Sequence, residues 1–514
     1  MLSVKRLGAS GTAESDPLSY WDALSQNHCA QWKEAMRSEF KSLKHNETWI
    51  YKSIIPAGTQ PIGCKCVFLL KTNPDGTRRF KARLVIKGYE QIPRIDFGET
   101  FAPVARLVSF RLLVALTALN QWGKHHMDVS TAFLNPPIDG EIYMQLPEGI
   151  EWLESSRPVS TAVCKLNKVL YGLKQAPRLW YDHIDKFFQT IQLHRSLNDC
   201  NLYIANDHKL HLLLYVDDIL ILSKDLSRIT SKAIKNQLHA QYKMNDLGET
   251  RRFLGIEIER KAGCFQINQT QFIQTVLQRF DMEECNGVYT PMEMGQKLLL
   301  ATDGDELVES SKYQSLLGSL MYLVVGTRPD IAFAVATLSK FNANTTRNHF
   351  LAAKRILRYL QQTAHLFLVY KLGQDQMDGY SDSDFAGDPG DSKSTSGYVF
   401  ILGGAVISWK AKKQSLVSLS SIEAEYIGYS EATQEAIWLR RLYHEITETK
   451  PAPQLLRCDN QGAIMLGENP KFHEQTKHID ITSAKIYFTS DALAPRPDVS
   501  DAISCVPCVP SILT

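Results

Sequence analysis

HLLLYVDDILIL, residues His211 to Leu222, places two adjacent carboxylates, Asp217 and Asp218, between two runs of apolar residues. The runs are rich in Leu, Ile, Val and Tyr, and together they predict a buried β-hairpin with the two aspartates at its turn. Adjacent carboxylates repel each other unless they face water or share metal ions. A solvated corner is the common interpretation, because Asp is a favoured turn residue. Other parts of the sequence determine whether Asp217 and Asp218 form a solvated turn or a metal site.

A third carboxylate, Asp128, lies upstream in HHMDVSTAFL, residues His125 to Leu134. Val129 and Phe133 favour a strand that runs into a short helix. Three aspartates from two strands can hold two divalent ions about 3.5 to 4 Å apart, a pair that clamps the attacking and leaving oxygens of an in-line phosphoryl displacement. The sequence therefore indicates phosphoryl transfer at this point.

The motifs around these aspartates resemble those of a known family. Tyr215 to Asp218, preceded by Met127 to Asn135, is similar to the polymerase palm of copia-type LTR retrotransposon reverse transcriptases. Further segments follow in the family's order: Trp32–Met36, Asn46–Trp49, Lys81–Gly88, Glu99–Val104, Leu170–Trp180, Phe253–Ile258 and Thr327–Ala332. The resemblance implies an α+β fold, a right-hand polymerase of fingers, palm and thumb followed by a ribonuclease H-like mixed-sheet domain.

The resemblance also assigns roles to individual residues. Asp128, Asp217 and Asp218 are the expected catalytic metal ligands, with Asp128 and Asp217 bridging two Mg²⁺ ions. The expected nucleotide-binding residues are Lys81, Arg83, Phe133, Tyr171 and Gly172, and the expected primer–template residues are Leu254 and Gly255. Phe133 is expected to stack under the deoxyribose and exclude a 2′ hydroxyl, with a core aromatic as the alternative. The alternatives for the other residues are turn glycines and a solvated hairpin.

A second cluster of acids lies in the C-terminal part of the chain. Asp382 ends a strand-like run, Glu425 lies on the helix that follows, and Asp459 ends a later strand. This order resembles the copia-type ribonuclease H, which implies that the three acids are catalytic metal ligands. Glu423 and Asp384 are weaker candidates. On a helix, a separation of two positions turns Glu423 about 200° away from Glu425. The alternative is that these acids only cap helix ends or lie in water as solvated side chains.

Several positions depart from the family pattern. The departures are Cys66, Leu69, Arg94, Pro136, Pro137 and Phe385. Lys477 to Ile481 matches, but the family's next helix and its Ala-Asp-x-x-Thr-Lys stretch with a fourth metal-binding aspartate are not found, and Asp480 is a weak substitute. The ribonuclease H domain is therefore expected to be incomplete and of doubtful activity. The chain is interpreted as a fragment of a Pol polyprotein.

Length and composition agree with a multidomain globular enzyme. A length of 514 residues favours two to four domains. The expected divisions are 1–45 (N-terminal connector), 46–250 (fingers and palm), 251–372 (thumb and connection), 373–488 (ribonuclease H-like) and 489–514 (atypical tail). The chain is 44% hydrophobic with a net charge of +2 and has no long apolar stretch or signal peptide, so membrane insertion is not expected. Its ten cysteines favour reduced thiols over zinc at Cys505 and Cys508.

The expected function is RNA-directed DNA polymerisation, by two-metal nucleotidyl transfer onto a primer 3′ hydroxyl, with an attached ribonuclease H. The resemblance implies Mg²⁺ as the cofactor, with Mn²⁺ as a second choice. The expected partners are an RNA template, a DNA primer, an RNA/DNA hybrid and dNTPs, with integrase or other Pol parts in a full-length element. The expected location is the cytoplasm, within a virus-like particle of an intact element, or the nucleus. The alternative is an inactive relic of a retrotransposon Pol that at most binds nucleic acid.

Overall fold

The computed structural model describes residues 16–72, 77–154, 162–225, 233–373, 376–449, 455–468 and 487–488. The α-helices in these ranges are α1 Tyr20–Ser25, α2 Cys29–His45, α3 Leu107–Asn120, α4 Ile150–Leu153, α5 Ala176–Thr190, α6 Ala233–Gln241, α7 Thr270–Arg279, α8 Ser310–Gly326, α9 Ala332–Ser339, α10 Arg347–Gln362, α11 Ser421–Thr447 and α12 Gln461–Glu468. The strands are β1 Trp49–Lys52, β2 Cys64–Thr72, β3 Arg78–Ile86, β4 Gly123–Val129, β5 Tyr143–Met144, β6 Val163–Leu166, β7 Leu193–Arg195, β8 Leu202–Ala205, β9 Leu210–Tyr215, β10 Asp218–Ser223, β11 Met244–Glu249, β12 Arg252–Phe253, β13 Ile256–Lys261, β14 Cys264–Asn268, β15 Leu368–Lys371, β16 Asp378–Ser383, β17 Thr395–Leu402, β18 Ala405–Lys413, β19 Leu455–Arg457 and β20 Tyr487–Phe488. Asp480, Cys505, Cys508 and the predicted tail 489–514 lie outside the described residues.

The β2–β3 hairpin, the predicted fingers, packs against the helices that precede it. The two strands pair in antiparallel register along their whole length. Trp32 of α2 lies edge-on to Phe68 and Phe80 of the hairpin, with ring centroids 5.3 and 4.8 Å apart. Aromatic contacts of this kind stabilise beyond the area that they bury. Helices α1 and α2 fall in the predicted N-terminal connector, and the structure packs them against the hairpin as part of one core.

The central element is a six-stranded antiparallel sheet in the order β11-β4-β10-β9-β8-β7. Both faces of its β9–β10 hairpin are buried. Leu213 and Leu220 pack in the core that contains α3, whereas Leu212 and Ile219 pack in the core that contains α5 and α6. Strands covered on both faces need apolar residues at every position, which explains why residues 211–222 show no alternation of apolar and polar residues.

Helices α7, α8, α9 and α10 pack around a separate apolar core that follows the central sheet along the chain. A four-stranded antiparallel sheet in the order β12-β13-β14-β15 joins this helical unit to the central sheet. Within the described ranges, no helix is both long and apolar enough to cross a membrane.

The C-terminal sheet is mixed, with the order β18-β17-β16-β19-β20. Strand β16 pairs antiparallel with β17 and parallel with β19. Parallel neighbours end at the same edge of a sheet, so the acids that end β16 and follow β19 are brought together. Helix α11 packs on β16 and β17 and covers one face.

Arg111 of α3 joins the C-terminal sheet to the central sheet and to α8. Its Nε donates to the carbonyl of Ile407 at 2.7 Å, and its Nη1 donates to the carbonyls of Val325 at 2.7 Å and Gly326 at 3.0 Å. The guanidinium lies 3.9 Å from the ring centre of Trp409. Burial lowers the pKa of Arg111 to about 10, so the group remains charged at neutral pH. One buried side chain therefore holds three parts of the molecule together.

A second contact between the two sheets lies at the C-terminal end of α11. The Glu445 carboxylate accepts hydrogen bonds from the loop 196–198, at 2.7 Å from Ser196 Oγ and 2.9 Å from the Leu197 amide. His211 of β9 is fully buried, with Nε2 3.1 Å from the carbonyl of Ile446. The C-terminal unit is thus docked on the central sheet through polar contacts as well as apolar packing.

Candidate active sites

The predicted hairpin brings Asp217 and Asp218 to the point where β9 ends and β10 begins. In the register of β4 and β10, Asp218 lies directly opposite Asp128. The Val129 amide donates to the Asp217 carbonyl at 2.8 Å, which extends this pairing to the turn. All three predicted carboxylates therefore lie at one end of the central sheet.

The turn that carries Asp217 has a strained backbone. Val216 has φ of 60°, a conformation that β-branched residues rarely adopt. Its carbonyl accepts a hydrogen bond of 2.6 Å from Nε1 of Trp180, which holds the turn in place. Strain of this kind persists only where the surroundings fix it, and it is concentrated at functional sites.

The three carboxylates differ in their surroundings. Burial raises the pKa of the Asp217 carboxyl, and the neighbouring Asp218 and Asp128 raise it further. Asp128 accepts a hydrogen bond of 2.9 Å from Nδ2 of Asn245, and Asp218 Oδ1 lies 2.7 Å from Nε2 of His126. Mutual repulsion in a partly buried cluster is what divalent cations relieve, so the donor set fits hard ions. The role of the three aspartates as metal ligands stays a prediction.

The predicted nucleotide-binding residues lie close to these aspartates. The Arg83 guanidinium lies 4.8 Å from the ring centre of Tyr171, and Phe133 contacts the same ring edge-on at 5.4 Å. Burial raises the pKa of Tyr171 to about 12; Arg83 opposes this increase, whereas Asp217 and Asp128 add to it. Arg83, Tyr171 and Phe133 thus form one contact chain beside the carboxylates.

Glu39 of α2 belongs to this region, although sequence reasoning did not select it. Burial raises the pKa of its carboxyl, while the Leu84 amide, Arg83 and Lys81 oppose that increase. The Glu39 carboxyl therefore lies near both Arg83 and Lys81, and its negative charge partly offsets their positive charge. Its only sequence signal is an acid on the inner face of an amphipathic helix, with Met36 and Phe40 buried on either side.

Gly172 is required where the Tyr171 segment meets β3. Its φ is 98°, and a Cβ at this position would lie 2.2 Å from the carbonyl oxygen of Ile86. The Ile86 amide donates to the Tyr171 carbonyl at 2.9 Å. The sequence predicts Gly172 as a nucleotide-binding residue. The approach that the structure shows is to the backbone of β3, which fixes Tyr171 beside Arg83.

Leu254 and Gly255 form the turn between β12 and β13. Their φ values are 52° and 76°, so both have left-handed backbone conformations. The Tyr322 hydroxyl on α8 donates to the Leu254 carbonyl at 2.6 Å, and a Cβ at Gly255 would lie 2.1 Å from that hydroxyl. Phe253 contacts the His126 ring edge-on at 5.4 Å. The predicted primer–template turn is therefore linked both to α8 and to the aspartate cluster.

The C-terminal acids also come together. Asp382 lies on β16, Asp459 follows β19, and Glu425 faces both from the second turn of α11. Burial, together with the neighbouring Asp382 and Asp459, raises the pKa of Glu425 to about 8. The close approach of α11 requires Gly428, whose Cβ would lie 2.3 Å from Oγ of Ser383.

The two weaker candidates are engaged in local structure. Asp384 accepts a hydrogen bond of 2.6 Å from the Thr395 amide. Glu423 accepts one of 2.8 Å from the Leu419 amide, and its own amide donates to Ser420 Oγ at the start of α11. Asp384 thus closes a loop and Glu423 caps a helix.

Cys458 is a further member of the C-terminal cluster that sequence reasoning did not select. Its Sγ lies 4.0 Å from Oε2 of Glu425. Among the described residues, Glu425, Cys458 and Asp459 are the one group whose three possible metal-binding atoms all lie within 4.8 Å of one another. Burial, together with the neighbouring acids, raises the pKa of the Cys458 thiol to about 12.

The chain is similar to known proteins along most of its length. Residues 46–294 match the family model described as reverse transcriptase (RNA-dependent DNA polymerase). The chain is 33% identical over 314 residues to a putative transposon Ty5-1 protein of Saccharomyces cerevisiae, and the match covers 60% of this chain and all of that protein. The chain belongs to the copia-type retrotransposon Pol family. Its resemblance to that family and the predicted α+β fold class are thereby confirmed.

The copia-type family includes much longer relatives. The retrovirus-related Pol polyprotein from transposon TNT 1-94 of Nicotiana tabacum is 40% identical over 480 residues, which cover 91% of this chain and 36% of that polyprotein. The chain thus spans about a third of that relative's length. Among solved structures, a foamy viral protease-reverse transcriptase in complex with double-stranded DNA matches with a TM-score of 0.49 and 15% identity, over 95% of this chain and 73% of that one. Reverse transcriptases as a family generally use divalent metals.

Proposed function

We propose that this chain is an RNA-directed DNA polymerase that extends a DNA primer on an RNA template. The observation that carries the proposal is the β4–β10 register, which sets Asp128 opposite Asp218 with Asp217 at the adjoining turn. Asp128 and Asp217, supported by Asp218, would hold two divalent ions, with Mg²⁺ expected and Mn²⁺ as a second choice. Divalent ions held by these residues would supply activation of the primer 3′ hydroxyl and stabilisation of charge on the α-phosphate of the nucleotide.

The neighbouring side chains would bind and orient the incoming dNTP. Arg83 and Lys81 supply positive charge for its phosphates, and Arg83 is held in place by the Tyr171 ring at 4.8 Å. Phe133 contacts the same tyrosine ring edge-on. A bulky ring at the sugar position excludes a 2′ hydroxyl by steric clash and so selects dNTPs.

The C-terminal cluster is proposed to cleave the RNA strand of an RNA/DNA hybrid, more weakly than the polymerase site extends primers. Asp382 and Asp459 lie close enough to Glu425 to raise the pKa of its partly buried carboxyl. By resemblance, the family's hydrolytic site has four acidic ligands, and three are matched in this chain. An incomplete set binds the second ion less tightly, which reduces the hydrolytic rate. Assembly with integrase or other Pol parts in an intact element, in the cytoplasm or the nucleus, is part of this proposal.

Primer extension on an RNA template tests the polymerase proposal. Asp217→Asn should remove most of the rate in Mg²⁺, because it replaces a bridging carboxylate with a neutral amide. The matched control is Asp303→Asn at an exposed position away from the cluster, which should extend normally. Near wild-type extension by Asp217→Asn would refute the assignment. A wild-type chain that binds primer–template but extends nothing in Mg²⁺ or Mn²⁺ would be an inactive relic.

Cleavage of a labelled RNA strand in an RNA/DNA hybrid tests the second site. The full chain should cleave slowly compared with its own primer extension, and Asp382→Asn should abolish what cleavage there is. Robust cleavage that disappears in Asp382→Asn would show that the three acids suffice, and the proposed ranking of the two activities would then be wrong.

A further inference from the structure

A buried thiol lies among the carboxylates of the C-terminal cluster. Cys458 is 8% exposed, and its Sγ is directed at Oε2 of Glu425, 4.0 Å away. Asp459 completes a group in which one sulfur and two carboxylate oxygens all lie within 4.8 Å of one another. The donor set is therefore mixed, since two hard oxygen ligands share one buried position with a soft sulfur ligand.

We propose that Glu425, Cys458 and Asp459 form a binding site for a thiophilic divalent cation such as Zn²⁺, which inhibits the ribonuclease H-like centre. This inference rests on the proposed function, because inhibition has meaning only where the same acids hold hard catalytic ions. Zn²⁺ accepts Cys sulfur, carboxylate oxygen and water together, whereas Mg²⁺ takes oxygen ligands and gains nothing from the thiol.

The distances in the cluster fit a zinc site with little movement. Zinc–sulfur bonds are about 2.3 Å and zinc–carboxylate bonds about 2.0 to 2.2 Å long. Two such ligands on an ideal tetrahedral ion lie about 3.5 Å apart, and the sum of the two bond lengths, about 4.4 Å, is the upper limit for any angle at the ion. The separation of 4.0 Å between Cys458 Sγ and Glu425 Oε2 falls inside that limit. Asp459 is exposed, so water can reach the remaining position on the ion.

Binding displaces protons from the ligands: the Cys458 thiol loses one, and Glu425, whose pKa is raised to about 8, loses one at neutral pH. The S–H bond breaks, its proton goes to the buffer, and a zinc–sulfur bond forms without oxidation or reduction. The ion then engages Glu425 and Asp459, two of the three acids that the hydrolytic reaction needs. Zn²⁺ should therefore stop hybrid cleavage at concentrations far below those of Mg²⁺, because its thiolate bond adds affinity that Mg²⁺ lacks.

Direct binding can be measured on the full chain without any activity. Titration with Cd²⁺ should produce the ultraviolet charge-transfer absorption of a cadmium–thiolate bond. Cys458→Ser should lose a one-equivalent part of that absorption, whereas Cys285→Ser, at a partly buried cysteine of the helical unit, should keep it. Equal absorption in the wild type and Cys458→Ser would overturn the inference, since the signal would then come from other cysteines.

Inhibition of hybrid cleavage supplies the second measurement. Each variant's rate in Mg²⁺ is normalised to its own rate without Zn²⁺. Cys458→Ser should raise the Zn²⁺ concentration for half-inhibition by about tenfold or more, because loss of one ligand from a three-ligand site weakens binding strongly. An unchanged half-inhibition concentration would contradict the inference. If the wild type cleaves nothing but the Cys458-dependent cadmium signal is present, the proposed hydrolysis fails while the metal site stands.

Discussion

His126 Nε2 lies 2.7 Å from Asp218 Oδ1, so a histidine two positions before Asp128 orients the carboxylate that follows Asp217. The alternation of a strand places His126 and Asp128 on the same face of β4, beside β10. The other contact of the imidazole is the edge of Phe253, which precedes the Leu254–Gly255 turn. One ring therefore lies between a predicted metal ligand and the predicted primer–template turn.

His126→Leu should reduce the maximal rate of primer extension by about tenfold, because a hydrogen bond to a charged group contributes about 1.5 kcal/mol or more. His126→Gln keeps an N–H donor at a similar reach and should retain most of the rate. Steady-state primer extension with both variants measures this, with the Mg²⁺ concentration varied. Equal loss in the two variants would indicate a packing role instead of orientation of Asp218.

The hydroxyl of Tyr322 should matter for primer–template binding. Tyr322→Phe removes the 2.6 Å hydrogen bond to the Leu254 carbonyl and leaves the ring against Phe272, at 4.6 Å. A neutral hydrogen bond contributes about 1 kcal/mol, so the Kd for primer–template should rise about fivefold while the KM for dNTP stays unchanged. Tyr289→Phe, at a tyrosine that is 75% exposed, is the matched control.

Gly255 offers an independent check of the same turn. Gly255→Val should weaken primer–template binding more than Tyr322→Phe, because a side chain is strained at φ of 76° and would clash with the Tyr322 hydroxyl. Fluorescence anisotropy with a labelled duplex measures both variants. Normal duplex binding by Gly255→Val would leave Leu254 and Gly255 as an ordinary turn.

Phe133 should control the choice between dNTPs and rNTPs. Phe133→Val removes the ring that contacts Tyr171, and it should lower the ratio of kcat/KM for dNTP to that for rNTP by about tenfold or more, which corresponds to about 1.4 kcal/mol. The control for loss of packing is Phe187→Val. Phe187 is a partly buried aromatic residue of α5 that contacts Tyr242. Unchanged discrimination in Phe133→Val would assign the ring to the core.

The buried His211 should make stability depend on pH. Burial lowers its pKa from 6.5 to about 3, so the unfolded chain binds a proton between these values and the folded chain does not. The free energy of unfolding should therefore be unaffected by this group above pH 6.5 and fall by up to about 1.4 kcal/mol per pH unit below it.

Denaturant unfolding at pH 5, 6 and 7.5 measures this dependence. His211→Gln keeps a donor for the Ile446 carbonyl and cannot titrate, so its pH dependence should be smaller than that of the wild type. His194→Gln, at an exposed position, should keep the wild-type dependence. Parallel curves for the wild type and His211→Gln would rule out His211 as the source.

The parts of the two sites that could be predicted from the sequence are those marked by short, local sequence patterns. The apolar runs on both sides of Asp217 and Asp218 determine a hairpin, and the strand at Asp128 pairs with the second strand of that hairpin. The acids Asp382, Glu425 and Asp459 end or begin regular elements, so their convergence follows from the mixed sheet.

The residues that sequence reasoning missed act through contacts between distant segments. His126 precedes Asp218 by 92 positions, and Tyr322 follows Leu254 by 68. Tyr322 lies in a helix with apolar residues on most sides, so no periodic pattern indicates which face meets the β12–β13 turn. Cys458 follows an ordinary strand, and a lone cysteine there is usually a small core residue. Only the packed structure identifies these partners.

Arg111 has a consequence for the two sites taken together. Its guanidinium, on helix α3 beside the central sheet, donates hydrogen bonds to carbonyls of α8 and β18. Movement of the C-terminal unit away from the central sheet would leave this buried cation unpaired. If both clusters act on one nucleic acid, the distance between them is constant during synthesis. RNA fragments that the C-terminal cluster cuts while the aspartate cluster of the central sheet holds the primer end should then share one length, which is set by the distance between the two clusters.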